Sequence, residues 1–344
     1  MALLEIHDLH TFFKTKKGIV KAVNGVSYSV EPGKTLGVVG ESGSGKSVSA
    51  MSILKLLDGN GYIDSGEIIF DGKNLADVSV KDMCKIRGNE ISVIFQEPMT
   101  SLNPIFTVER QLSEPFIIHQ GMNKKEAAEK VVEMLKDVRI PNPEAVAKQY
   151  PHQLSGGMRQ RVMIAMAMSC EPDLLIADEP TTALDVTIQA QIIELMQEMQ
   201  EKNGNAIIMI THDLGVVADM ADKIMVMYAG RPVEFGTAEE IFYESRHPYT
   251  WGLIRSIPEQ AIEEKKPLTP IHGNPPSLMN LPEGCVFSPR CPYATDKCRK
   301  QRPERVVTES GHYSACHYSG DPEFLKNAPE TSRTRKDSKK GGEA

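Results

Sequence analysis

The fold is decided by the stretch Gly40-Glu41-Ser42-Gly43-Ser44-Gly45-Lys46-Ser47. It follows the apolar run Thr35 to Val39 and has the spacing G-x-x-x-x-G-K-S that is typical of a phosphate-binding loop between a strand and a helix. In such a loop, backbone N–H groups meet the phosphates, the lysine reaches the β and γ oxygens and the serine ligates Mg²⁺. The residues predicted to bind nucleotide here are Gly40, Ser42, Gly43, Ser44, Gly45, Lys46, Ser47 and Val48.

Length and composition limit the classes of protein. With 344 residues, 40% of them hydrophobic, the chain can form one large domain and a smaller appendage. The net charge of −7 argues against a nucleic-acid partner, since such affinity depends on basic residues. No run approaches the roughly 18 apolar residues of a membrane span, and the first residues do not resemble a signal peptide. We therefore expect a cytoplasmic protein.

Hydrophobic patterns divide the chain into regions. Residues 1–255 alternate strand-like and helical segments, which predicts right-handed crossovers and a mainly parallel α/β sheet. A helical insertion occupies about 97–170, and Asp71-Gly72 is a hairpin turn signal. Residues 256–325 are rich in proline and charge and form a C-terminal extension with clustered cysteines, while 326–344 are expected to be a disordered tail.

Two carboxylates follow the apolar strand that begins at Leu174. Ligands of α/β sheets bind at the carboxyl ends of strands, so Asp178 and Glu179 can face the nucleotide held by the phosphate loop. We predict that Asp178 holds Mg²⁺ and that Glu179 orients or deprotonates the attacking water.

A second anion site is predicted at Leu154-Ser155-Gly156-Gly157-Met158, where a serine and two glycines open an apolar helix. With this motif the chain resembles the ATP-binding cassette (ABC) ATPases, whose signature L-S-G-G-Q it matches except at Met158. The resemblance implies that Ser155, Gly156 and Gly157 contact the γ-phosphate bound by a partner's phosphate loop, so that ATP lies in a head-to-tail dimer.

Other positions match the same family in order. The resemblance implies that Gln96 senses Mg²⁺ and the lytic water, that His212 contacts the γ-phosphate, and that Asp185 lies where the chain crosses to the partner. Phe13, or alternatively Phe12, would stack on adenine. The implied fold is a P-loop NTPase of the ABC nucleotide-binding type, with an antiparallel β subdomain, a helical insertion and a small cysteine-containing extension. The implied activity is hydrolysis of ATP with Mg²⁺.

The residues around these motifs resemble those of one branch of the ABC ATPase family. Val38 to Val48, Phe95 to Pro104 and Ala177 to Thr187 are similar to the D-type ATP-binding subunit of bacterial oligopeptide and dipeptide importers, and the similarity runs from Leu3 to about Tyr318. It implies a peripheral subunit on the cytoplasmic face of the membrane that powers peptide import. Its partners would be an F-type ATPase subunit, two integral permeases and an extracytoplasmic peptide-binding protein.

The loop from Glu97 to Pro104 and the helical insertion would form the groove for the permeases' coupling helices.

The same subunit type could instead serve nickel, glutathione or another small solute. A soluble cassette ATPase acting on DNA or ribosomes is disfavoured by the acidic charge, and a purely regulatory or redox protein by the complete set of ATP-site residues.

The cysteines form a separate pattern. Cys285, Cys291, Cys298 and Cys316 have the spacing C-x₅-C-x₆-C-x₁₇-C, which in a reducing compartment is better suited to a metal than to disulfides. Spacing alone leaves zinc, an iron–sulfur cluster and no metal open. The family resemblance favours a 4Fe–4S cluster in a structural or sensing role, with His312 and His317 as possible substitute ligands.

Overall fold

The computed structural model describes residues 2–96, 101–182, 184–257 and 270–329. The strands are β1 (Leu4–Thr15), β2 (Gly18–Val30), β3 (Thr35–Val39), β4 (Gly61–Phe70), β5 (Lys73–Asn74), β6 (Ile91–Ile94), β7 (Leu174–Asp178), β8 (Ala206–Thr211), β9 (Lys223–Tyr228), β10 (Arg231–Thr237), β11 (Val306–Val307) and β12 (Tyr313–Ser314). The helices are α1 (Lys46–Ile53), α2 (Val80–Ile86), α3 (Val108–His119), α4 (Lys124–Asp137), α5 (Pro143–Ala147), α6 (Gly156–Met168), α7 (Val186–Asn203), α8 (Leu214–Ala218), α9 (Ala238–Tyr243), α10 (Pro248–Ile254), α11 (Asp296–Lys300) and α12 (Pro322–Leu325).

The strands form two sheets. The larger has the order β11-β12-β10-β9-β3-β8-β7-β6, with β9, β3, β8, β7 and β6 parallel to one another. The smaller, β2-β1-β4-β5, is antiparallel. β4 and β5 are joined through Asp71 and Gly72, whose φ angles of 44° and 74° suit the two-residue hairpin turn predicted there. The predicted α/β class and the antiparallel β subdomain are both present.

The parallel strands are buried on both faces, because side chains alternate between two hydrophobic clusters. On β8, Ile207 and Met209 belong to one cluster, whereas Ile208 and Ile210 belong to the other. The second cluster is closed by the antiparallel sheet and α1, and the first by the helices α3 to α7. Continuous apolar strands are expected in this arrangement.

The helical insertion predicted at about 97–170 contains α3, α4, α5 and α6. α4 begins with a complete capping box, in which Asn123 accepts from the backbone of Glu126 and the Glu126 side chain accepts from the backbone of Asn123. Its buried side chains Ala127, Val131 and Leu135 recur every four residues, the spacing that places them on one face of a helix. The insertion is thus packed on one apolar face.

The C-terminal extension shares the main sheet. β12 pairs with β10 through Glu234 opposite Ser314, so residues after 270 add two strands to the sheet of residues 1–255. The domain boundary near 255 stays a prediction. Most of the expected disordered tail, together with residues 97–100 of the expected permease groove, lies outside the described residues. Within the described ranges, the longest helices lack the length and apolar character that crossing a bilayer requires.

Candidate nucleotide site

The phosphate loop lies between β3 and α1. Gly45, directly before α1, has φ 98°, and a Cβ atom there would lie 2.2 Å from the carbonyl oxygen of Ala22. Glycine is therefore required, both for the left-handed conformation and for the close approach of β2. Of the predicted loop residues, the buried ones are Gly40, Ser44, Gly45 and Lys46, the partly buried ones Ser47 and Val48, and the exposed ones Ser42 and Gly43.

The Lys46 side chain folds back over this loop. Its Nζ donates hydrogen bonds to the carbonyl oxygens of Gly40 at 2.7 Å and Glu41 at 3.1 Å. Only 4% of the residue is exposed, and burial lowers the pKa of the amine. A desolvated ammonium held at the start of a helix is well placed to bind phosphate oxygens.

Ser47 and Asp178 meet at the end of β7. The Ser47 hydroxyl donates to Asp178 Oδ1 at 2.9 Å, although the two residues are far apart in the chain. Burial raises the pKa of the Asp178 carboxyl, so a cation beside it would relieve the cost of keeping it charged. Hydroxyl and carboxylate oxygens are the donors that Mg²⁺ prefers, so this pair fits the ion.

Glu179 has three polar partners from different parts of the chain. Its carboxylate accepts hydrogen bonds from Gln96 Nε2 and Thr182 Oγ1, both at 2.9 Å, and lies 3.4 Å from His212 Nδ1. Sequence reasoning selected Gln96, Glu179 and His212 but missed Thr182. The spacing of three residues, which closes a turn from Glu179 to Thr182, was the available signal.

Sheet order explains why these groups converge. Gln96 lies just beyond β6, Glu179 follows β7, and His212 follows β8, and all three strands run parallel beside β3. The phosphate loop leaves the same end of β3, so the carboxyl ends of four adjacent strands form one site.

The second predicted anion site begins α6. Ser155 is exposed, and its Oγ accepts from the backbone N–H of Met158 at 3.3 Å. A Cβ atom on Gly157 would lie 3.1 Å from Ile188 of α7, so the motif packs on the segment that Asp185 caps. Ser155, Gly156 and Asp185 are all exposed, which places them on one accessible surface.

The aromatic pair of β1 is divided between the two faces of the strand. Phe13 is partly buried and lies against Gly61 of β4, where an added Cβ atom would be 2.7 Å from the ring. Phe12 is 9% exposed and contacts the edge of Tyr62. Stacking of adenine on Phe13 stays a prediction.

The four C-terminal cysteines line one cavity of about 20 Å³, together with His247 and Phe287. Burial raises the pKa of Cys291 to about 11 and that of Cys316 to about 12. Among the described residues, no group of three or more His, Cys, Asp or Glu side chains is arranged to hold a metal ion.

Each histidine considered as a substitute ligand has one ring nitrogen in a polar contact, and His317 also lines the cavity of the four cysteines. His312 lies 3.0 Å from the buried Glu234, and His317 Nε2 donates to the carbonyl oxygen of Gln301 at 2.9 Å.

Comparison with known proteins agrees with this geometry. A family model described as ABC transporter matches residues 23–182, and one described as oligopeptide/dipeptide transporter, C-terminal region, matches residues 233–298. The chain is 51% identical to the oligopeptide transport ATP-binding protein AppD of Bacillus subtilis over 91% of this chain and 96% of that protein. It is 50% identical to the dipeptide transport ATP-binding protein DppD of Escherichia coli over 93% of this chain and 98% of that protein.

A solved structure shows the same fold. An ATP-binding cassette in a dimeric post-hydrolysis state, bound to ADP and phosphate, aligns with a TM-score of 0.62 and 28% identity over 68% of this chain and 98% of that chain. The chain belongs to the ABC transporter family and is an ATP-hydrolysing subunit of the ABC type. Its C-terminal region places it in the oligopeptide and dipeptide transporter branch. The resemblance inferred from the sequence is thereby confirmed.

Proposed function

We propose that this protein hydrolyses ATP on the cytoplasmic face of the membrane to drive import of oligopeptides or dipeptides. The observation that carries the proposal is the convergence of Glu179, Asp178 and the phosphate loop at one sheet edge. The relatives' names, which refer to oligopeptide and dipeptide transport, support peptides as the substrate class.

The proposed mechanism assigns each group a separate task. Lys46 and the N–H groups at the start of α1 bind the β- and γ-phosphates, and the aromatic Phe13 stacks on adenine. Ser47 and Asp178 hold Mg²⁺, which neutralises charge on the phosphates when bound. Glu179 accepts a proton from the attacking water while Gln96 keeps its carboxylate oriented.

His212 completes the site from β8. Its side chain is 60% exposed, whereas that of Glu179 is 12% exposed, so the histidine can reach a γ-phosphate while remaining beside the carboxylate. Ser155, Gly156 and Gly157 of the opposing subunit close the pocket over the γ-phosphate, and Asp185 lies at the same subunit boundary. ATP thus closes a dimer, and loss of phosphate opens it.

The partners in this proposal are an F-type ATPase subunit, two permeases and a peptide-binding protein. A cavity of about 210 Å³ between the end of α1, β6 and α3 supports a permease contact. Phe95 and Leu56 line it and are 44% and 38% exposed, so two apolar side chains in this cavity are accessible to a partner. Phe95 directly precedes Gln96, which donates a hydrogen bond to Glu179. A permease segment that displaced Phe95 would therefore also shift the partner of the Glu179 carboxylate.

Reconstitution tests the function. The subunit is assembled in proteoliposomes with two permeases, a partner ATPase and a peptide-binding protein of this transporter branch, and uptake of labelled di- and tetrapeptides is measured with and without ATP. We expect ATP-dependent peptide uptake that is lost in Glu179→Gln. Uptake of nickel or glutathione but not of peptides would show that peptides are the wrong substrate class. ATP hydrolysis without any association with permeases would refute the transporter role.

We propose in addition that Cys285, Cys291, Cys298 and Cys316 bind a 4Fe–4S cluster. The supporting observation is that all four line the same cavity, and soft thiolate ligands suit iron–sulfur clusters and zinc. The raised thiol pKa values would be offset by the positive charge of iron, which deprotonates its ligands. A cavity of about 20 Å³ holds about one water, so the side chains would have to move apart around a cluster.

Anaerobic purification tests this assignment. We expect brown protein with about four irons and four acid-labile sulfides per chain. The variant Cys298→Ser/Cys316→Ser should lose both, whereas Cys84→Ser, which changes an exposed thiol on α2, should keep them. Colourless protein with stoichiometric zinc, or without metal, would contradict the cluster.

A further inference from the structure

Glu41, the second residue of the phosphate loop, is bound from outside the loop through both its backbone and its side chain. Its N–H donates to Tyr249 Oη at 2.8 Å. Its carboxylate accepts from Arg290 Nη1 at 2.5 Å and Nη2 at 3.0 Å, in the two-pronged geometry that is strongest for this pair. Both partners come from far along the chain, since 249 positions separate Glu41 from Arg290.

The Arg290 side chain is buried and held in place by hydrogen bonds. Its side chain is 4% exposed, and each of its five N–H groups has an acceptor within hydrogen-bond distance. Besides Glu41, these are the carbonyl oxygens of His272 and Ile271 at 2.9 and 3.0 Å and the Tyr228 hydroxyl at 3.3 Å. The hydrogen bond with Glu41 raises the pKa of the guanidinium.

Tyr249 is equally constrained. It is fully buried, and its ring packs against Tyr228 at 4.6 Å and Phe287 at 5.3 Å between centroids. Its hydroxyl therefore meets the Glu41 N–H from a rigid aromatic cluster. Glu41 in turn presents its carbonyl oxygen to Lys46 Nζ, which connects the C-terminal extension to the phosphate-binding lysine.

The negative charge of the Glu41 side chain bears on ATP binding. A free carboxylate in the loop would repel the polyphosphate of ATP, because like charges at short range in a poorly solvated site interact strongly. Arg290 neutralises that carboxylate and fixes its direction. Without Arg290 the loop would carry an unpaired negative charge beside its substrate.

We propose that Arg290 and Tyr249 are positioning residues for ATP binding, which hold the phosphate loop through Glu41. The C-terminal extension then sets the ATP affinity of the catalytic domain. This inference depends on ATP binding at the phosphate loop, as in the proposed function. It predicts an effect on nucleotide affinity and KM, and little effect on kcat, because neither residue touches Glu179 or its partners.

The test measures the Kd of a fluorescent ATP analogue, together with kcat and KM, for the full chain and its variants. We expect Arg290→Met to raise Kd and KM about tenfold and to leave kcat within about twofold. Adding Glu41→Gln to Arg290→Met should recover much of the affinity, since it removes the unpaired charge. Arg290→Lys should be intermediate, because lysine keeps the charge without the two-pronged geometry.

Two further variants make the result decisive. Arg299→Met, which breaks an exposed ion pair with Asp296 in the same extension, should leave Kd unchanged. Should Arg290 variants not fold, Tyr249→Phe removes only the hydroxyl and should still raise Kd about threefold to tenfold.

Equal Kd for wild type, Arg290→Met and Tyr249→Phe would overturn the proposal. So would an Arg290→Met defect confined to kcat, or one that Glu41→Gln leaves unimproved. If wild type itself bound no nucleotide, the proposed function would fail as well, whereas normal wild-type binding with unaffected variants would refute only the positioning role.

Discussion

At the scale of single residues, Glu179 combines an uncommon backbone conformation with a crowded set of polar partners. Its φ of 48° lies in the left-handed region that residues other than glycine seldom occupy. Its N–H donates to the Ile210 carbonyl at 2.9 Å, which anchors that conformation to β8. Unfavourable backbone geometry of this kind tends to occur at functional sites, where the surrounding structure enforces it.

The variant Glu179→Gln tests the assigned role. We expect ATP binding to be retained and kcat to fall by about 10² to 10⁴, because the amide cannot accept the proton of the attacking water. Steady-state phosphate release and binding of a fluorescent nucleotide would measure the two properties separately. The control is Glu144→Gln, which alters an exposed carboxylate on α5 and should hydrolyse ATP normally. Near-normal turnover in Glu179→Gln would remove Glu179 from the mechanism.

At the scale of elements, α9 links the catalytic sheet to the C-terminal extension. Thr237 and Glu240 form a capping box, in which Glu240 Oε2 accepts from the Thr237 N–H at 2.8 Å. The other oxygen of Glu240 accepts from the Ser310 hydroxyl, in the connection between β11 and β12. The Glu240 carboxylate thus caps α9 and also binds the C-terminal extension through a hydrogen bond.

The capping carboxylate predicts a pH-dependent contribution to stability. Burial raises the pKa of Glu240, but hydrogen bonds from Ser310 and Thr237 outweigh it, so the folded pKa is lower than the unfolded one. The stabilisation is therefore present above the ordinary glutamate pKa of about 4.3 and is lost as pH falls through the folded value. We expect Glu240→Gln to cost about 1 kcal/mol at pH 7 and less in acid.

Unfolding of wild type and Glu240→Gln by heat, from pH 7 down to about pH 3, would measure this difference, because the stabilisation is lost below the ordinary glutamate pKa of about 4.3. Glu244→Gln, at the opposite end of α9 and exposed, is the matched control and should follow wild type. A gap between wild type and Glu240→Gln that widens in acid would contradict the sign of the argument.

Elements with strong local signals were predicted well from the sequence. The apolar runs of β3 and β7, the glycine loop and the serine cap of α6 all lie where the patterns placed them. β1 extends to Thr15, because pairing with β2 continues across register shifts that the residue pattern does not reveal. The two-residue strands β11 and β12 have no clear signal in the sequence, since they depend on pairing with each other and with β10.

At the scale of the whole molecule, Ser155 and Asp185 are exposed at the starts of two helices, α6 and α7. Packing of Gly157 on Ile188 brings the start of α6 beside the start of α7. Helix N-termini favour anions, so this surface suits a phosphate presented by a second subunit. The dimer proposed above would use it.

The variant Ser155→Arg tests that surface. A large cation there should block closure, lower ATP turnover about a hundredfold and abolish the ATP-dependent dimer, while nucleotide binding at the subunit's own phosphate loop persists. Size-exclusion chromatography with ATP in a Glu179→Gln background, with and without the partner ATPase, would show the dimer. Ser79→Arg, which alters an exposed cap at the start of α2, is the control. Full-rate hydrolysis by a strict monomer would refute the shared site.

The sequence by itself determined the features that depend on neighbouring residues. The phosphate loop, the acidic strand end and the signature motif each have a recognisable local order, since glycine conformations, helix caps and apolar strands are set by residues close in the chain. From these the class of ATPase and most of its candidate site could be predicted.

Only the tertiary structure decided which distant groups touch. Sheet order brings Gln96 and His212 to Glu179. Phe287 of the C-terminal extension packs against Tyr228 and Tyr249, beside the phosphate loop, where Arg290 meets Glu41. No local pattern specifies these contacts, because they result from how strands pair and pack across hundreds of residues. The shared cavity of the four cysteines has the same origin.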